Sequence, residues 1–154
     1  MSLRPTAKGI VWGGLLCGLL DITAAFVVYG AFGARPIPIL QGIAAGVLGP
    51  RASAGGYATA ALGLFFHFVI ACGAATVYYG IARMFPSVLQ HAMAAGILYG
   101  PVVYFFMNRV VLPLSAARKF PFSLKMMLIG LAIHIVCIGL PIALSARRFA
   151  RAAA

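Results

Sequence analysis

Acidic residues are all but missing from this chain: its 154 residues contain one aspartate and no glutamate. A lone carboxylate excludes carboxylate-pair catalysis and the acid-rich Mg²⁺ site used in lipid phosphotransfer. Charge of either sign is scarce, at 8% of residues, against about 25% in an ordinary soluble domain. The three cysteines, Cys17, Cys72 and Cys137, lie inside apolar runs without CxxC spacing, which excludes a disulfide framework, a thiol-redox pair and a metal cluster. They read as small buried hydrophobes. No Ser/His/Asp set in a nucleophile-elbow context occurs. The chain is therefore expected to be no enzyme, and to carry no metal or other cofactor.

What is present is hydrocarbon. Apolar residues make up 64% of the chain and its mean hydropathy is +1.06, more than a soluble fold of this size has interior to hide. The solvent must be a bilayer. The apolar runs predict an all-α, polytopic membrane protein with one integral membrane domain over 1–154. Its four transmembrane helices are expected near 9–33, 58–82, 92–112 and 124–146. The first run, after a basic Met1–Lys8, has the opening of a signal peptide, but its length of about 25 residues suits a span.

Between the first two spans, Arg35-Pro36-Ile37-Pro38 breaks the helix. The apolar stretch that follows, to Leu48, is too short to cross and predicts a short interfacial or re-entrant helix. Gly49–Gly56 reads as a connector, with an anion bound by backbone amides beside Arg51 as its sharper alternative. Pro101, deep in the third span, frees the carbonyl of Ile97 and predicts a kink. Gly9-xxx-Gly13, Gly14-xxx-Gly18 and Gly96-xxx-Gly100 mark faces where another helix backbone can approach closely.

The net charge is +11, with the basic residues at segment ends and in short loops. Anionic lipid headgroups are the expected partners, with Arg51, Arg118, Lys119, Arg147 and Arg148 as contacts. Nucleic acid is excluded as a partner, because no basic soluble face or arm exists. Four spans put both termini on one side. Six basic residues then lie on each side, so the positive-inside rule gives no orientation. The Arg147–Arg148–Arg151 cluster beside its span favours cytoplasmic termini.

Short segments across nearly the whole chain resemble a known family. They include Leu20-Asp21-Ile22-Thr23-Ala24-Ala25-Phe26, Leu64-Phe65-Phe66-His67-Phe68, Leu98-Tyr99-Gly100, Met107-Asn108-Arg109-Val110-Val111-Leu112-Pro113 and Ile138-Gly139-Leu140-Pro141-Ile142. They are similar to short four-span bacterial inner-membrane proteins of the YagU-like kind. The resemblance implies a multi-pass protein of the bacterial inner (cytoplasmic) membrane and no particular activity.

Chemistry, if any, is expected around Asp21. With each span's midpoint at the bilayer centre, Asp21, His67 and His134 fall within about 5 Å of that centre at 1.5 Å rise per residue. Tyr104 and Asn108 continue one face of the third span, and Tyr99 is the other phenol at useful depth. Ionised carboxylates in hydrocarbon are costly, so Asp21 is expected to face the bundle or an oligomer interface, within hydrogen-bond reach of one of these groups or a water. One role for this constellation is a proton or ion relay, or a ligand pocket, in a homo-oligomeric transporter or channel with Asp21 as the coupling acid. The plain alternative is interhelical hydrogen bonding in a non-catalytic subunit of a larger membrane complex, docked through its Gly-xxx-Gly faces. A third is a haem-b electron-transfer protein ligated by His67 and His134.

Overall fold

The computed structural model describes residues 3–152. Four helices in it are long and apolar enough to cross a membrane: α1 (Ala7–Ala31), α3 (Gly56–Met84), α5 (Ala92–Leu114) and α6 (Leu124–Arg148). Their ends fall within two residues of the spans read from the sequence. The all-α, four-span architecture is the one expected. Between α1 and α3 lies α2 (Pro36–Leu48), followed by a 3₁₀ segment, Gly49–Ala54. A single turn, α4 (Ser87–Gln90), links α3 to α5. The chain ends meet as two-residue strands, β1 (Leu3–Arg4) and β2 (Arg151–Ala152), paired antiparallel. Both termini therefore leave the bundle at one end.

Small residues decide which helices touch. α1 packs between α3 and α6, and α5 packs on the other side of α6. Gly9 and Gly13 face Ala146, Ser145 and Ile142 of α6, while Gly14 and Gly18 face Cys72, Phe68 and Ala71 of α3. Gly96 and Gly100 meet the backbone of α6 at Gly139, Leu140, Ile135 and His134. Docking of a partner through the Gly-xxx-Gly faces is thereby corrected. All three motifs are consumed inside the chain, because a backbone without Cβ lets neighbouring helices approach to van der Waals contact of their main chains.

Pro101 lies inside the helix without ending it. Helical structure runs through Pro101 to Phe106, and the departure from α geometry comes at Met107–Val111, as a π stretch. A second π stretch, His134–Gly139, interrupts α6. Such bulges occur often at functional sites.

At 13 residues, α2 is about 20 Å long, too short to cross about 30 Å of hydrocarbon. It lies across the first turns of α3, where the Leu40 carbonyl abuts Gly63 and Ala44 is fully buried. Gln41, 8% exposed, donates through Nε2 to the Gly56 carbonyl at 3.0 Å and to Thr59 Oγ1 at 3.4 Å. Thr59 Oγ1 in turn donates to the Ala52 carbonyl at 2.6 Å. These bonds fasten the segment between the first two spans to the start of α3. Gln41→Leu leaves the Gly56 carbonyl without this donor and is expected to cost about 1–2 kcal/mol. An unchanged thermal melt in detergent would show that apolar packing alone holds α2.

Burial is lopsided along the membrane normal. The core joins Cys17, Ala71, Ala75, Tyr78, Ala82, Leu89 and Ala92 to Tyr99, Val103, Ile138, Ile142, Ala143 and Ala146. All of these lie in the half of the bundle that carries the termini and α4. In the other half, α1 has no buried residue after Ile22, α5 has none after Val103, and α6 has none before Ile138. That half lacks a packed core between α1, α5 and α6.

Candidate functional site

Asp21 sits where the packed half gives way to the unpacked one. It follows the fully buried Cys17 by one helical turn and immediately precedes Ile22. Its neighbours in the sequence-derived constellation occupy the same boundary: His67 between the buried Gly63 and Ala71, Tyr104 just after Val103, and His134 one turn before Ile138. All four are half-buried. Both histidines are close enough for their charge to act on Asp21.

The hydrogen bonds run elsewhere than the sequence led one to expect. His67 Nε2 lies 2.8 Å from the Gly18 carbonyl, tying α3 to α1. His134 Nδ1 lies 2.9 Å from the Gly130 carbonyl, one turn back on α6. Tyr99 Oη donates to the Ala74 carbonyl at 2.7 Å. Because a carbonyl only accepts, each imidazole nitrogen facing one must carry a proton. In the neutral rings this leaves Nδ1 of His67 and Nε2 of His134 as basic nitrogens. The Asp21 carboxylate forms no hydrogen bond or ion pair with a protein group among the described residues. The expected bond from Asp21 to His67, His134, Tyr99 or Tyr104 is thus not made. Three of those four groups are bonded to carbonyls instead.

Tyr104 belongs with His134: the rings meet edge to face at 5.2 Å between centroids, and Gly130 leaves room for the phenol ring, whose atoms a Cβ there would overlap. Asn108 does not join the cluster. It is exposed, and its Nδ2 donates to the backbone carbonyl of Tyr104 at 2.9 Å, within its own helix. Sequence reasoning passed over Tyr29. That residue lies two turns beyond Asp21 on α1, within charge range of both Asp21 and Tyr104. The i, i+4, i+8 spacing from Asp21 through Ala25 was the signal available for it.

The basic residues expected at headgroups are all solvent- or lipid-accessible: Arg51, Arg118, Lys119, Arg147 and Arg148. Arg118 and Lys119 lie in the α5–α6 loop at the unpacked end, where Ala116 N–H donates to the Gly46 carbonyl of α2 at 2.9 Å. The Arg118 guanidinium stacks 5.8 Å from the Phe120 ring centre, and Lys125 Nζ stands 4.8 Å above Phe32. Arg147 and Arg148 close α6 at the packed end.

Two histidines across a porphyrin do not fit this arrangement. α1 runs between the helices that carry them, and His67 already commits Nε2 to Gly18. Among the described residues no three His, Cys, Asp or Glu side chains converge on a metal-sized site. Comparison with known proteins adds no relative: no family model, no curated protein and no solved structure matches the chain.

Proposed function

We propose that this chain is a small multi-pass protein of the bacterial inner membrane, YagU-like in kind, that moves protons or a proton-coupled solute as a homo-oligomer. Asp21 is its intramembrane coupling acid, and both termini lie in the cytoplasm. One observation carries this reading. The only acid in the chain stands at the inner edge of the half in which α1, α5 and α6 share no packed core, bonded to no protein group among the described residues. An acid kept for interhelical bonding would be expected to make such a bond, since buried polar groups in stable structures are paired. An unpaired carboxylate within charge range of two imidazoles that each retain a basic nitrogen suits proton exchange instead. A four-helix protomer encloses little lumen, so the path is placed at an interface between copies.

The test is reconstitution into vesicles loaded with a pH-sensitive dye, with proton entry driven by an imposed potential. The parent protein is expected to carry protons above the leak of empty vesicles, and Asp21→Asn to return the rate to that leak. Parent flux at the level of empty vesicles, or undiminished flux in the variant, would reject the proposal.

A further inference from the structure

A groove runs down the outer face of the bundle between α1 and α6, on the packed half and ending at the termini. Its origin is steric. Gly9 and Gly13 bring α1 against Ile142, Ser145 and Ala146, and large side chains on either side of that line of contact stand out as walls. Trp12 and Leu16 form one wall, Leu140 and Leu144 the other, and Arg147 and Arg148 flank the end. Ser145 lines the floor and is 8% exposed, yet its hydroxyl has no protein hydrogen-bond partner among the described residues.

From this geometry we infer a binding site for one anionic diacyl phospholipid, its acyl chain in the groove and its phosphate at Arg147 and Arg148. Length supports the match. From Val136 to Arg148 the groove follows α6 over about 18 Å at 1.5 Å rise per residue, close to the half-thickness of a hydrocarbon core of about 30 Å. Charge complementarity picks the headgroup. Both arginines are exposed, and the chain's single acid lies on α1 at mid-helix, far from this end. Basic pockets between helices recognise anionic headgroups in this manner. Lys8, in sequence one turn before Trp12, adds a third cation at the same end of α1. The Ser145 hydroxyl on that floor offers a donor near the lipid's ester region, a polar group that a groove made only for hydrocarbon would not need.

The site is independent of the proton-transfer proposal and is tested without it. Delipidated protein in detergent is titrated with phosphatidylglycerol, phosphatidylcholine or inorganic phosphate, and bound molecules are counted by native mass spectrometry. One phosphatidylglycerol per chain is expected to bind in preference to phosphatidylcholine, with no binding of phosphate alone. Arg147→Gln with Arg148→Gln should weaken it about thirtyfold, roughly fivefold for each cation lost near the surface. Leu16→Trp, which fills the groove and leaves both arginines in place, should abolish the discrete bound lipid. Arg118→Gln with Lys119→Gln should leave it unchanged. Equal retention of the two lipids, binding of free phosphate, an equal loss in the Arg118/Lys119 variant, or full retention in Leu16→Trp would each overturn the site.

Discussion

Gly139→Val is expected to separate α5 from α6 and to cost about 3 kcal/mol or more, at or above the upper end of ordinary overpacking. A Cβ at Gly139 would lie 2.7 Å from the Gly100 nitrogen and 3.1 Å from its Cα, and would also overlap the Gly96 carbonyl oxygen. The contact is reciprocal. A Cβ at Gly100 would stand 2.6 Å from the Ile135 Cα and 2.7 Å from the His134 carbonyl oxygen. These neighbours are backbone atoms, so no rotamer change relieves the clash, and one helix must translate away from the other. The crossing lies within the π stretch that begins at His134. Moving it also moves the His134 imidazole, whose charge reaches Asp21. Gly73→Val is the matched control, because a Cβ there meets nothing within 4 Å. Chemical unfolding in mixed micelles should show a large loss for Gly139→Val and a change within about 1 kcal/mol for Gly73→Val, the helix-propensity scale. Equal stability of the two variants would mean that the α5–α6 crossing is not a tight glycine contact.

What the sequence made legible follows from how strong each physical signal is in a bilayer. The four spans were readable because about twenty apolar residues are needed to cross, and Pro36, Pro38 and the Gly49–Gly56 stretch punctuate them sharply. The short α2 was readable for the same reason, as an apolar run too brief to cross. Close helix approach at the glycines was readable too, whereas their partner was not. A Gly-xxx-Gly pattern says that a backbone will come near, and nothing in it tells a helix of the same chain from a helix of another. Gly14 and Gly18 needed the fold to find Cys72 and Phe68. The depth of Asp21, His67 and His134 was a matter of counting at 1.5 Å per residue. Their hydrogen bonds were not, because any imidazole in a membrane can reach a carbonyl. The preference of His67 for Gly18 and of His134 for Gly130 depends on helix rotation and on the local π geometry. The absence of a core beyond Ile22 was likewise hidden. The spans there are as strongly apolar overall, and hydropathy does not distinguish lipid-facing from protein-facing hydrocarbon.

Asp21→Asn and Asp21→Ala are expected to leave stability unchanged or raised while proton movement falls by about 10²-fold or more, the scale of losing a positioned proton-transfer group. From sequence alone the expectation was that alanine costs more than asparagine, because asparagine would still serve a stranded partner. The structure removes the premise. No protein group among the described residues bonds to the carboxylate, so neither substitution strands one, and both relieve the desolvation of an ionisable group. The histidines should behave differently. His67→Phe breaks the bond that joins α3 to the Gly18 carbonyl of α1, and a loss of about 0.6–1.7 kcal/mol is expected from measured bonds between membrane helices. It should therefore lower both the melting temperature and the flux. This split between two neighbouring polar residues is what distinguishes a working acid from structural glue. Melting curves of the three variants in one detergent, set beside their vesicle flux, decide the matter. A destabilisation of more than about 1 kcal/mol in Asp21→Asn, the net worth of a typical hydrogen bond, would reveal a bond that the acid makes after all. Asp21 would then belong with the packing residues.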